Sequence, residues 1–325
     1  MAVFSSRRAG DSEGPPICAS WLASGRPLAT ICVTRDDQNV ASIYRTQVGR
    51  ESVARWCSAA LDAWSVPHGR HTVIANGVST HLVTAGAGER AVLMVPGTNF
   101  NAATYLPLAT ALAERFRVYL PDVPGQPGLS DGNRPPASGR LSWYGRWLTE
   151  VLGQLEDSSI TVVGHSLGAA IALASDSTRA DRQVLVSPGG LTRLAITPRV
   201  LTTSIVWSLR RRPIDSARLL QTMHGPTHSP RPELTEWMTL VARNVRSSAD
   251  PGRVTVTRRD VDRIAVTGEH DVFLPPVRLA PATRHALGVE LHVIPAAGHL
   301  VVDEYPSQIA VLVDQHPVRD PRIPD

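Results

Sequence analysis

The chain has 325 residues, enough for a large domain with a substantial buried core, and its 42% hydrophobic and 19% charged content is that of an ordinary globular protein. All 33 basic residues are arginine, set against 29 carboxylates, so the formal net charge is only +4. The densest basic run, Arg210-Arg211-Arg212, reads as a solvated face, because a nucleic-acid surface needs clustered cations interleaved with aromatic residues.

Residues 1–45 mix Gly, Pro, Ser and Arg without sustained periodicity and are expected to form a poorly ordered extension. Arg7 and Arg8 are followed by Pro15, Pro16 and Gly25 rather than by the apolar stretch of a signal peptide. Cys18, Cys32 and Cys57 show neither a disulfide framework nor metal-ligand spacing, which points to a reducing compartment, and a cytoplasmic location is expected. Nowhere does the chain approach the roughly 18 uninterrupted apolar residues of a membrane span.

Within residues 46–70, Val53, Trp56, Cys57, Ala60, Leu61 and Trp64 fall at helical spacing and predict one leading amphipathic helix packed on the main domain. Short alternating runs over residues 71–75 and 79–85 flank Asn76-Gly77, a hairpin signal. A fully apolar strand follows at 91–95, then a helix from Tyr105 to Arg115 and a strand at 117–120 closed by Pro121. Beyond a Pro/Gly-rich loop, residues 143–155 read as a helix, and Ile160-Thr161-Val162-Val163 as a buried strand. Ala169 to Ala174 has high helix propensity, and residues 183–186 form the sixth strand. Strands alternating with helices imply an α/β fold with a mostly parallel central sheet flanked by helices.

The alternation stops over residues 189–253, where Leu234, Trp237, Met238, Val241 and Val245 mark one helical face and Leu219, Leu220 and Met223 suggest another. This region reads as a helical cap inserted after the sixth strand, between core segments 71–188 and 254–317. The sheet pattern resumes with a strand at 263–267, a helix around 277–286, a strand at 290–294 and a last helix over 306–313.

At the junction of the fifth strand and the following helix stands Gly164-His165-Ser166-Leu167-Gly168, a match to the G-x-S-x-G elbow. A serine on so tight a turn projects its hydroxyl above the sheet edge, and side chains two residues to either side would collide, so glycines leave the room. The helix beginning there aims its free N–H groups at the place where negative charge would develop. A serine hydroxyl needs a base, and the base an orienting acid, on loops leaving the carboxyl ends of other strands. Gly268-Glu269-His270-Asp271 and Ala296-Ala297-Gly298-His299 are two such loops.

With these motifs the chain from about residue 71 to 313 resembles an α/β-hydrolase-fold enzyme with a cap insertion. The resemblance also rests on Gly298-His299 leading into Asp303-Glu304-Tyr305-Pro306, and on the loop Asp122-Val123-Pro124-Gly125-Gln126-Pro127-Gly128-Leu129-Ser130, one residue longer than the usual Asp-x-Pro-Gly-x-Gly-x-Ser. It implies Ser166 as nucleophile, His299 as general base and then acid, and Asp271 as the orienting carboxylate, with Glu269, Asp303 and Glu304 as nearby rivals to Asp271. His165 is expected to pack beneath the turn. The implied oxyanion hole draws N–H groups from Leu167 and Thr98, each worth about 2.7–4 kcal/mol in the transition state. Relatives usually carry His-Gly where this chain has Pro96-Gly97, and Asn99 is a candidate substrate contact on that loop.

Ser166 argues against the epoxide- and halide-processing members, whose elbow nucleophile is an aspartate. No cofactor and no metal are expected. His224 and His228 are four apart, but Gly225 and Pro226 forbid the helix that would align them. The Gly125–Gly128 loop lacks the lysine and helix of a phosphate cradle. Trp207, Met223, Trp237 and Met238 are the candidate cap residues for an apolar acyl or polyketide-like small molecule. The leading expectation is cleavage of an ester, thioester, lactone or activated amide. Carbon–carbon hydrolysis, or biosynthetic elimination or cyclisation, with the same triad is the alternative. A ligand-binding protein that kept the fold and lost catalysis is the third.

Overall fold

A computed structural model describes residues 17–23, 26–33, 42–247 and 252–315, the first two segments by backbone alone. Two compact units are distinguished, Met1–Ala41 and Ser42–Asp325. In the first, β1 (Ile17–Ala23) and β2 (Arg26–Val33) pair antiparallel, a hairpin within the stretch expected to be disordered. Residues 42–45, the end of that stretch, are ordered as well: Ile43 and Tyr44 are buried, and Tyr44 bridges to Val245. Residues 1–16, 24–25 and 34–41, and residues 248–251 at the end of the expected cap, lie outside the described residues.

The second unit is built on an eight-stranded sheet. In chain order its strands are β3 (His68–Ala75), β4 (Val78–Ala85), β5 (Arg90–Val95), β6 (Phe116–Pro121), β7 (Ile160–His165), β8 (Ala180–Val186), β9 (Asp262–Gly268) and β10 (Leu291–Ile294). Their spatial order is β10-β9-β8-β7-β5-β6-β4-β3, and every pairing is parallel except β3 with β4 and β4 with β6. Asn76 and Gly77, both at positive φ, turn the β3–β4 hairpin, as an Asn-Gly pair with right-handed strands requires.

Helices cover both faces, which is why the central strands read as continuous apolar runs. Along β5, Val92 and Met94 point into one core while Ala91, Leu93 and Val95 point into the other. The first core is closed by α2 (Leu106–Ala113) and α10 (Pro306–Asp314), the second by α3 (Arg140–Gly153), α4 (Leu167–Ala174) and α8 (Pro276–Leu287). The short α9 (Val301–Glu304) leads into α10.

Among the described residues, three helices stand between β8 and β9, namely α5 (Pro198–Arg210), α6 (Pro213–Met223) and α7 (Pro232–Asn244). Each begins with proline in its first turn, where the missing N–H has no intrahelical partner to lose. Their apolar faces join the first core through Trp207, Leu219, Met223, Trp237 and Val241. The leading helix α1 (Gln47–Asp62), capped by the Thr46 hydroxyl on the Gly49 N–H, packs against this inserted layer, with Trp56 and Trp237 ring centroids 4.8 Å apart.

Candidate active site

A strained turn lies where β7 meets α4. Ser166 has φ 52° and ψ −110°, a region that residues with a β-carbon enter only under constraint, at about 1–3 kcal/mol. The constraint is visible. Its N–H donates to the Val186 carbonyl at 2.9 Å, and its own carbonyl accepts from the N–H groups of Ala169, Ala170 and Gly189. A β-carbon on Gly168 would sit 2.0 Å from the Val95 carbonyl oxygen, and one on Gly164 would sit 2.6 Å from Ala169 Cα. Both glycines are therefore steric necessities of the turn.

The loops after β9 and β10 bring two further side chains to the serine. His299 Nε2 lies 3.2 Å from Ser166 Oγ, and His299 Nδ1 lies 2.9 Å from Asp271 Oδ2. Asp271 is 2% exposed and saturated with donors: Thr267 Oγ1 at 3.1 Å on Oδ2, and the N–H groups of Phe273 and Leu274 at 2.9 and 2.8 Å on Oδ1. Burial alone would raise its pKa, but the His299 ring and these donors hold the carboxyl down at about 2. A carboxylate fixed in this way assigns the proton to His299 Nδ1 and leaves Nε2 to accept from the serine hydroxyl. Such a line can take a proton from Ser166 and return it to a leaving group.

The rival acids are engaged elsewhere. Glu304 accepts from the Gly298 and Gly225 N–H groups, Glu269 from the Ala296 N–H, and Asp303 from Arg231 Nε at 2.7 Å.

His165 packs beneath the turn and is fully polar-bonded there. Its Nε2 meets the His299 carbonyl at 2.9 Å, and its Nδ1 meets the Tyr105 hydroxyl at 2.5 Å. Burial, helped by the neighbouring His299 ring, pushes its pKa down to about 3, so the ring is neutral. A carbonyl only accepts, so Nε2 carries the proton and the Tyr105 hydroxyl donates to Nδ1. The same tyrosine oxygen accepts the Gly97 N–H at 3.0 Å. One polar chain thus joins the β5 loop, the elbow and the His299 loop. Periodicity assigns Tyr105 only to the start of a helix. Its role comes from contacts 8 and 60 residues away, which no local pattern encodes.

Thr98 and Leu167 both border a cavity of about 330 Å³ above Ser166, and neither backbone N–H has an acceptor among the described hydrogen bonds. Asn99 borders it too, with φ 67°, its N–H held by Gln126 Oε1 and its carbonyl by Trp237 Nε1 at 2.8 Å. Asn99 Oδ1 is buried with no hydrogen-bond partner among the described residues. Of the candidate cap residues, Trp207, Met223 and Met238 line the cavity. Trp237 does not: fully buried between Trp56 and the Asn99 carbonyl, it holds the loop rather than the cavity wall. Phe100, Leu167, Leu194, Leu219 and Phe273 add to the apolar lining, and among the described residues no arginine, aspartate or glutamate lines it. Among the described residues no cluster of three or more His, Cys, Asp or Glu is arranged to hold a metal ion.

A mostly parallel sheet carrying a strained serine at a strand–helix elbow, faced by a histidine and a buried aspartate from later strands, is the architecture of an α/β-hydrolase enzyme. The chain belongs to the alpha/beta hydrolase family, whose profile matches residues 92–312. Over 112 residues it is 36% identical to the uncharacterized protein Rv2715 of Mycobacterium tuberculosis, a match spanning 34% of this chain and 32% of that protein, so about a third of the relative's length is covered. Among solved structures it resembles the naproxen esterase (carboxylesterase NP) of Bacillus subtilis, with a TM-score of 0.67 at 18% identity over 82% of this chain and 96% of that one. It also resembles the 2-hydroxy-6-oxo-6-phenylhexa-2,4-dienoate hydrolase of Rhodococcus sp. strain RHA1, with a TM-score of 0.59 at 20% identity over 77% and 98% of the two chains.

Proposed function

We propose that the protein is a serine hydrolase that cleaves neutral, apolar carboxylic esters through an acyl-enzyme on Ser166, with thioesters, lactones and activated amides open to the same chemistry. The observation that carries this reading is the contact of His299 with Ser166 Oγ on one side and Asp271 on the other, at the floor of a cavity. Ser166 Oγ attacks the carbonyl carbon while its proton passes to His299 Nε2, and Asp271 stabilises the imidazolium. The Leu167 and Thr98 N–H groups hold the oxyanion, and Pro96, whose own N–H is absent, takes no part in that hole. The tetrahedral centre collapses as His299 protonates the departing alkoxide. Water, deprotonated by His299, then cleaves the acyl–Ser166 bond and releases the acid.

The lining supports the substrate class. Phe100, Trp207, Met223, Met238 and Phe273 favour an apolar acyl group, and the unpaired Asn99 Oδ1 suits a substrate N–H or O–H donor near the carbonyl. A substrate bearing a carboxylate, such as the dienoate in the Rhodococcus hydrolase's name, would be desolvated in a cavity lined, among the described residues, by no arginine to pair it. This favours ester hydrolysis over carbon–carbon cleavage.

Ser166→Ala is expected to abolish labelling by a fluorophosphonate probe while leaving the circular-dichroism spectrum unchanged, and the wild type is expected to turn over neutral p-nitrophenyl esters in preference to ω-carboxylated ones. Undiminished labelling of the variant would remove Ser166 from the chemistry. Labelling without turnover of any ester would move the reading to carbon–carbon cleavage.

A further inference from the structure

The helix that walls the candidate site has a second apolar face. On α5, Val200, Ser204 and Trp207 turn inward, the last two onto the cavity. Leu201, Ile205 and Leu209, spaced four apart on another side of the helix, are 50%, 47% and 73% exposed. Ile196 before the helix and Ile214 at the start of α6 are 65% and 51% exposed. Ten large aliphatic side chains are exposed among the described residues, and half of them fall within residues 196–214. Scattered single residues of this kind need no explanation, but a stripe along one helix does.

The charge around the stripe is as uneven as the hydrophobicity. Residues 193–218 contain six arginines (Arg193, Arg199, Arg210, Arg211, Arg212 and Arg218) and one acid, Asp215, which is buried against Arg212. The remainder of the chain holds 27 arginines and 28 carboxylates, by subtraction from totals of 33 and 29. The formal net positive charge of the chain is therefore concentrated in the stretch that also holds half of the exposed aliphatic side chains. Arg193, Arg199, Arg210, Arg212 and Arg218 are exposed, and Arg193, Arg199 and Arg210 make no side-chain bond among the described residues.

An apolar stripe flanked by cations, in a segment with no exposed carboxylate of its own, is the chemistry of a helix that lies in the plane of a lipid interface. The apolar side chains enter the acyl boundary, and the arginines meet anionic headgroups while their aliphatic stems remain in the interface. No helix among the described residues is long and apolar enough to cross a membrane, so contact of this kind is adsorption rather than insertion. We propose that the α5 face, from Ile196 to Ile214 with its surrounding arginines, is a docking surface for an anionic phospholipid bilayer. The cavity then opens behind the helix that touches the lipid.

The test uses the full chain carrying Ser166→Ala, so that binding is read separately from any hydrolysis and stands or falls independently of the catalytic reading. Co-sedimentation with vesicles of equimolar phosphatidylcholine and phosphatidylglycerol is expected, weakening as salt is raised, with far less on phosphatidylcholine alone. Combined Arg193→Gln, Arg199→Gln and Arg210→Gln changes are expected to lower partitioning roughly a hundredfold. Combined Leu201→Ser, Ile205→Ser and Leu209→Ser changes are expected to lower it roughly tenfold or more. The same substitutions in the Ser166 background should label with a fluorophosphonate as the parent does, showing that the fold is kept. Three results overturn the proposal: no binding to the anionic vesicles, equal binding by parent and both variants, or a lipid-free dimer that the serine variant dissolves while vesicles are ignored.

Discussion

Tyr105 illustrates how much of this site is held by groups that touch no substrate. Its hydroxyl is the middle link between the Gly97 N–H and His165 Nδ1, and burial pushes its pKa upward, keeping it a neutral donor. Phenylalanine at this position keeps the ring but strands a buried amide and a buried imidazole nitrogen, at about 1–3 kcal/mol of stability. The loop holding Thr98 and the carbonyl of His299 are then no longer tied through His165. Tyr105→Phe is expected to lower kcat on a good ester about tenfold with KM little changed, because the loss falls on the alignment of the proposed oxyanion donor and base rather than on the cavity lining. Steady-state kinetics with parallel urea denaturation check it. A loss of stability with unchanged kcat would make the tyrosine merely structural.

The inserted helices meet the sheet through charged groups as well as apolar ones. At the end of α6 the Met223 carbonyl accepts the His299 N–H at 2.7 Å, and Glu304 bridges the Gly225 and Gly298 N–H groups, so the insert and the histidine loop share hydrogen bonds. Beside them the buried His224 places Nε2 3.7 Å from Asp303 Oδ2, too long for a hydrogen bond but close enough for charge attraction, and Asp303 also pairs with Arg231. Burial pulls the His224 pKa down, yet Asp303, the Leu220 carbonyl and Glu304 carry it above its usual 6.5. Asp303 is held low, with burial opposed by His224 and Arg231, so it stays ionised through the range where the histidine titrates. A raised histidine stabilises fully below its unfolded pKa, and that contribution is lost as pH rises through the folded value. The melting temperature of the wild type should therefore exceed that of His224→Gln most below about pH 6.5, and the gap should close on raising the pH. A gap that is constant with pH would show that His224 acts by packing alone. The element-level pattern is readable from periodicity: all eight sheet strands and α1 to α4, α7, α8 and α10 correspond to expected segments within a few residues, whereas α6 is signalled only by Leu219, Leu220 and Met223 in its second half. The elbow glycines and the Ser166, Asp271 and His299 loops were legible because steric room and strand-end position leave marks in local sequence. Trp237 could not be read as a loop anchor, and α5 could be read only in outline, because both depend on which face of a helix meets which neighbour.

At the scale of the whole molecule, the family match begins at residue 92, yet the site depends on chain that precedes it. Residues 42–62 run alongside the insert: Tyr44 bridges to Val245, the Arg45 N–H donates to the Asn244 carbonyl, and α1 lays Trp56 on Trp237. Trp237 in turn holds the Asn99 carbonyl at 2.8 Å, one residue from Thr98. A continuous series of packed groups therefore runs from the leading helix through the insert to the loop beside Ser166. Interiors are close-packed, so a void opened at one link is relieved only in part by its neighbours. Trp56→Ala removes a partly buried indole and is expected to cost about 2–3 kcal/mol in urea denaturation, below the full range for a completely buried tryptophan. It also frees the Trp237 ring on one side, and the consequence reaches the site: kcat/KM for esters should fall several-fold, although Trp56 lies outside the cavity. Trp237→Phe, which keeps most of the packing and removes the N–H to Asn99, should lower kcat/KM at least as far with a smaller loss of stability. If Trp56→Ala lost stability with no change in kcat/KM, the leading helix would support the fold without reaching the chemistry.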